Sequence, residues 1–152
     1  MNTSSEGPQL FAAALRSSNI ERTVEFLTGP LGMSVLRTYT AAPTAHGPYS
    51  EGATVNVVLG FKGDNPGQNL FIFSSQNKNA ITEIEHGNGL SRIMLLVPSA
   101  EAIASGLTAA GYEPCDIRET PRYKVLFVSD PDGYQYELLE VLARLPSGQP
   151  SL

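Results

Sequence analysis

A single cysteine, Cys115, excludes an internal disulfide framework and any cysteine-rich zinc module. No Lys/Arg cluster interrupts a balance of 10 basic against 15 acidic side chains, so binding to a phosphate backbone has little electrostatic support. Long apolar runs are missing too. The longest, such as Ile93 to Val97, fall far short of the ~18 residues that span a membrane. Met1 to Gly7 is polar and lacks the basic start and apolar stretch of a signal peptide. A cytoplasmic protein is therefore expected, with neither nucleic acid nor membrane as partner. Several catalytic motifs are absent as well: no GxSxG elbow, phosphate loop, G-x-G-x-x-G after a strand, or HExxH.

What is present is a globular composition, 41% hydrophobic and 16% charged, with 14 Gly and 11 Pro marking many turns. A chain of 152 residues matches one domain and can bury about two-thirds of its unfolded surface without staples. Residues 1–8 and 145–152 are rich in Ser, Gly, Pro and Gln and read as loose termini.

Between the termini the pattern alternates short β-rich runs with two helical stretches. Leu10 to Arg16 reads as a strand. A helix follows, capped by Ser18 with Glu21 three residues on, and Ile20, Val24 and Leu27 form one stripe at i, i+4, i+7. Gly29-Pro30 ends it. Met33 to Thr40, Thr54 to Gly60 and Asn69 to Ser75 read as strands. The order then recurs. Ser91 to Val97 is strand-like, Pro98-Ser99 opens a helix carrying Ile103, Leu107 and Ala110, and Gly111 stops it. Glu113 to Glu119, Lys124 to Ser129 and Gln135 to Leu142 read as strands, with Cys115 packed as a small hydrophobe. Asp130-Pro131-Asp132-Gly133 joins the last two, Pro presetting one turn position and Gly accepting positive φ. The chain thus reads as β-α-β-β-β twice, with modules at 9–75 and 91–144 joined by a solvated linker at 76–90. Ala41 to Ala53, with His46 and Tyr49, is long enough to suspect a binding loop.

The runs Asn19-Ile-Glu-Arg-Thr-Val-Glu-Phe-Leu, Gly29-Pro-Leu-Gly-Met33 and Asp130-Pro-Asp-Gly-Tyr-Gln-Tyr-Glu-Leu-Leu-Glu140, in this order within a duplicated frame, resemble the vicinal oxygen chelate superfamily of glyoxalase I, bleomycin-resistance proteins and extradiol dioxygenases. The resemblance spans about residues 9 to 142 and implies an α+β fold, two βαβββ modules forming a curved mixed sheet around a cavity. It further implies a divalent metal held by one side chain from each of the first, fourth, fifth and eighth strands. Carried onto this chain, those positions read Ala12, Phe71, Arg92 and Glu137. Alanine and phenylalanine cannot coordinate, and a guanidinium offers no lone pair. The expectation is loss of the metal, with no cofactor.

Arg92 and Glu137 then face each other as an ion pair. One reading is that Arg92 only neutralises a buried Glu. The other is that Arg92 presents donors to a substrate anion and Glu137 acts as a general base. Strand alternation adds Ala12 and Ala14, Phe71 and Phe73, Met94, and Leu139 to the same cup, with Tyr49 and Tyr123 at its mouth. These residues either fill a core or line a pocket for a small hydrophobic or aromatic molecule. The expected function is such a binder, a homodimer by resemblance. The alternative is an isomerase or lyase of the same superfamily, metal-free through Arg92 and Glu137 or with a metal at a site of different register. A dioxygenase lacks its two histidines.

Overall fold

A computed structural model describes residues 7–43, 52–61, 67–77 and 83–142. They fall into two compact units, residues 1–28 with 32–84 and residues 29–31 with 85–152. In the first, β1 (Ala12–Arg16), α1 (Ile20–Thr28), β2 (Ser34–Ala41), β3 (Thr54–Gly60) and β4 (Asn69–Ser75) build a four-stranded sheet of order β1-β4-β3-β2. In the second, β5 (Ile93–Leu96), α2 (Ala100–Ala109), β6 (Arg118–Glu119), β7 (Tyr123–Ser129) and β8 (Gln135–Val141) repeat it as β5-β8-β7-β6. Each first strand pairs parallel with the last of its unit and the other pairs are antiparallel, so both sheets are mixed. Among the described residues no helix is long and apolar enough to cross a membrane.

One face of each sheet carries its helix. In the first unit the cross-strand row Leu15, Ile72 and Val57 is buried, as are Phe26 and Leu27 of α1. In the second, Leu126 and Leu138 pair across strands with no exposure, and Ala100 and Leu107 of α2 are fully buried too. The buried stripe of α1 is centred on Thr23, Phe26 and Leu27, while Ile20 and Val24 of the expected stripe are only half-buried. On α2, Leu107 is buried but Ala110 is exposed.

Helix ends follow local chemistry. Asn19, not Ser18, caps α1: its Oδ1 accepts from the Arg22 amide at 3.1 Å, and its own amide donates to Ser17 Oγ at 3.2 Å. Asn caps at least as well as Ser and sits one residue closer to the helix. Ser99 caps α2, accepting from the Ala102 amide at 3.2 Å, and Glu140 Oε2 accepts from the Ala100 amide at 2.8 Å, a carboxylate at the positive end of the helix. Gly111, at φ +89°, lets the chain reverse so that the amides of Gly111 and Tyr112 reach the carbonyls of Thr108 and Leu107.

The expected strand over Glu113 to Glu119 is shorter than its β-rich pattern suggests: only Arg118–Glu119 pairs. Cys115 lies before it and is exposed rather than packed. Its amide still donates to the Phe127 carbonyl at 2.8 Å, so the segment is held by a single bond instead of a ladder.

The β7–β8 turn is tight. The Asp130 amide donates to the Tyr134 carbonyl and the Gly133 amide to the Asp130 carbonyl, both at 3.0 Å, with Gly133 at φ +87°. Asp130 Oδ1 accepts from the amides of Asp132 (2.9 Å) and Tyr134 (3.0 Å), and the fully buried Tyr136 hydroxyl lies 3.4 Å from Oδ2. Burial raises the Asp130 carboxyl to about 6, against the opposing pull of those amides, and pushes the Tyr136 phenol up.

Because the folded carboxyl binds its proton more tightly than the unfolded one, its contribution to stability is complete below pH ~4 and lost as pH rises through about 6. Asp130→Asn keeps an oxygen for both amides and removes this titration. The stability of the native protein minus that of the variant, from urea unfolding, should therefore fall by on the order of 3 kcal/mol between pH 4 and 7. A flat difference would show that Asp130 does not titrate there. Leu126→Ala, emptying a fully buried site, should cost about 2–5 kcal/mol in the same assay.

Candidate functional site

The face of the second sheet opposite α2 is open. Strand alternation turns Met94, Glu137 and Phe127 toward it in one cross-strand row, and Leu96, Leu139, Val125 and Arg118 in the next. A cavity of about 390 Å³ lies there, with an apolar floor of Met94, Val125, Phe127 and Leu139. Arg92, Arg118, Glu119, Thr120, Tyr123 and Glu137 supply its polar wall. Its volume sits at the lower end of the range that encloses small organic ligands.

Arg92 precedes β5, and its Nε donates to Glu137 Oε2 while Nη1 donates to Ser91 Oγ at 3.1 Å. The two partners are unequally wet: the arginine side chain is 40% exposed and the glutamate side chain 12%. The carboxylate is the buried charge, and the guanidinium reaches it from the sheet edge.

Of the residues expected at the site, Arg92, Met94, Tyr123, Glu137 and Leu139 line this one cavity. Ala12, Ala14, Phe71 and Phe73 belong to the first unit. There Ala14 stands beside Phe71 in register, the Phe71 and Phe73 rings are 6.4 Å apart, and the Arg16 guanidinium lies 5.1 Å from the Phe73 ring centre. Tyr39, which sequence reasoning left out, meets Phe71 edge-on at 6.2 Å. Tyr49 and His46 lie outside the described residues. Arg118, Glu119, Thr120, Val125 and Phe127 were not anticipated. Val125 and Phe127 were findable, since they share alternation with Tyr123. Arg118 gives no signal in the sequence.

His86 does not float in a linker. Its Nε2 donates to the Asp132 carbonyl at 2.7 Å and its ring stands edge-on to Tyr134 at 4.8 Å, so it seals the β7–β8 turn.

The four positions that the family resemblance assigns to a divalent metal do not fit one. Three carry no donor, and the fourth, Glu137, is engaged by Arg92. Among the described residues no group of three His, Cys, Asp or Glu side chains comes together. Protein metal sites commonly need at least three such ligands.

Removing Arg92 leaves the Glu137 carboxylate buried without its counter-charge. Arg92→Met should cost about 1–3 kcal/mol in denaturant unfolding, discounted because the arginine is half-exposed, whereas Arg92→Met with Glu137→Leu should recover most of it. Additive losses in the double variant would mean that the two side chains are not energetically coupled.

The match to known proteins covers nearly the whole chain. Residues 9–138 match the model of the Glyoxalase/Bleomycin resistance protein/Dioxygenase superfamily. A probable lactoylglutathione lyase of Vibrio cholerae is 27% identical over 137 residues, 83% of this chain and 86% of that one. The lactoylglutathione lyase of Haemophilus influenzae is also 27% identical over 137 residues, covering 87% and 92%. Among solved structures, the trypanothione-dependent glyoxalase I of Leishmania major superposes with a TM-score of 0.70 at 23% identity, covering 88% of this chain and 87% of that one. A glyoxalase family protein of Bacillus cereus reaches 0.73 at 12% identity, covering 94% and 100%, a likeness of fold alone. Duplicated βαβββ order, matching family model and shared fold agree, and the chain belongs to the glyoxalase/bleomycin resistance protein/dioxygenase superfamily.

Proposed function

We propose that this protein binds a small hydrophobic or aromatic molecule in the cup of its second unit, without a metal ion. The observation that carries the reading is the cavity of about 390 Å³ with its floor of Met94, Val125, Phe127 and Leu139. An apolar floor supplies binding energy and a few polar groups orient the ligand. The Arg92–Glu137 pair occupies the wall where the family resemblance places two metal-ligand positions, and it needs no third charge to be neutral. Ala12, Ala14, Phe71, Phe73 and Tyr49 are further ligand-binding residues in this reading, and the working form is a homodimer.

A second reading has specific support in the relatives named lactoylglutathione lyase. Here the protein is an isomerase or lyase. Glu137, fixed through one oxygen by Arg92, would take a proton from a bound substrate, and the guanidinium would offset charge developing beside it.

Purified protein should carry no stoichiometric Ni, Zn, Mn or Fe by elemental analysis, and tightly bound metal would overturn the metal-free reading. Members of an aromatic and lipophilic panel should raise Tm, by the equivalent of about 2.7 kcal/mol at a hundredfold excess over Kd. Phe127→Ala should weaken that binding at least several-fold. A panel without any shift would leave a filled scaffold. If turnover of lactoylglutathione is detected and Glu137→Gln abolishes it while binding persists, the second reading replaces the first.

A further inference from the structure

Charge is distributed unevenly around the cavity. Arg92 is committed to Glu137 and Ser91, while Lys124 of β7 lies on the helix face and is committed to Glu101 of α2 at 2.6 Å. Arg118 is different: among the described residues its guanidinium makes no ion pair or hydrogen bond, and it is exposed at the cavity wall. Its sequence neighbour Glu119 also lines the wall but forms no ion pair with it among the described residues. Arg118 stands opposite Val125 in the cavity row, and Glu119 stands opposite Lys124, whose charge it helps to hold. Tyr123 lines the same wall, and its hydroxyl is also without a bond among the described residues.

Engagement assigns the roles. Arg92 already donates to Glu137 and Ser91, whereas Arg118, on the far edge strand of the order β5-β8-β7-β6, is the cavity cation left for the anion of a ligand. Between them lie Met94, Phe127, Val125 and Leu139, an apolar track for a ring system.

We infer that the cavity selects an aromatic carboxylate, its rings on the apolar floor and its anion held by Arg118 with Tyr123 as second donor. The inference rests on the binding reading above and names its ligand class. A guanidinium matches a carboxylate in two parallel hydrogen bonds, and rings buried beside it shield the pair from water.

Two naphthalene probes of nearly equal shape test it, 2-naphthoate and 2-naphthalenemethanol, by titration of their own fluorescence in a protein that contains no tryptophan. The native protein should bind the carboxylate at least about fivefold more tightly, the span of a partly exposed charge pair, and added salt should shrink the gap. Arg118→Gln should remove the preference by bringing the affinity for the carboxylate down to that for the alcohol. Arg122→Gln, a neighbouring charge that does not line the cavity, should retain it. Equal binding of both probes by the native protein, or a preference that survives in Arg118→Gln, overturns the assignment and leaves the apolar binder standing. Binding of neither probe overturns both.

Discussion

A carboxylate in the middle of a sheet, flanked in register by Met94 and Phe127, has to be answered by a positive charge. Burying it alone would cost several kcal/mol. Arg92 supplies the answer from the position just before the edge strand β5, where its long side chain keeps much of its hydration while its Nε meets the acid. The asymmetry is economical, since only one member of the pair is largely desolvated. A guanidinium also asks less of its surroundings than a divalent ion, because it needs one carboxylate where the ion needs several converging donors. Around the pair the sheet face is apolar, with Met94 and Leu139 lining the cavity beside it.

The open face follows from the helices. Each unit has one helix, and it covers one side of its sheet; the other side of the second sheet holds the cavity, while on the first sheet Asn56, Val58 and Phe73 of that side are buried. The two units furnish that side differently. The first displays Tyr39, Phe71 and Phe73 as a run of edge-on and tilted rings, with the Arg16 guanidinium stacked on Phe73 and that of Arg37 5.8 Å from the Phe11 ring centre. The second mixes an apolar floor with four charged side chains, two of each sign. Cations over rings tolerate exposure because the aliphatic stem and the flat charge both gain from the contact.

Much of this was legible in the residues. Duplicated helix-and-strand order and the Asp130–Gly133 turn marked out the modules, and the family resemblance carried by those runs supplied the fold and placed Arg92 and Glu137 at facing positions. What failed were judgements that depend on neighbours far along the chain. Glu113 to Glu119 has a strand-like pattern, yet an edge strand extends only as far as its partner offers a ladder, and β7 offers it only at Arg118 and Glu119. Cys115 then stays outside and exposed. The choice of Asn19 over Ser18 as cap is a one-residue matter decided by Ser17, whose hydroxyl is taken by Thr23 at 2.7 Å and by the Asn19 amide. Arg118 carried no local signal at all, because its significance lies in lacking, among the described residues, the partner that Arg92, the other cavity cation, has.

Everything at the pair depends on which face of β8 Glu137 occupies, and that is a question of register. The residues on either side, Tyr136 and Leu138, are fully buried on the helix face. A slip of one residue would send the charge toward α2 and the phenol into the cavity. The turn forbids it. Asp130 holds the amides of Asp132 and Tyr134 from one oxygen and faces the Tyr136 hydroxyl with the other, so the side chain that shapes the turn also touches the second residue of the returning strand. His86 closes the outside of the same turn through the Asp132 carbonyl, and an added Cβ at Gly133 would come within 3.0 Å of its ring. A buried acid with a raised proton affinity is thus tolerated because it fixes the count of residues between Ser129 and Gln135. That count aims Glu137 at Arg92.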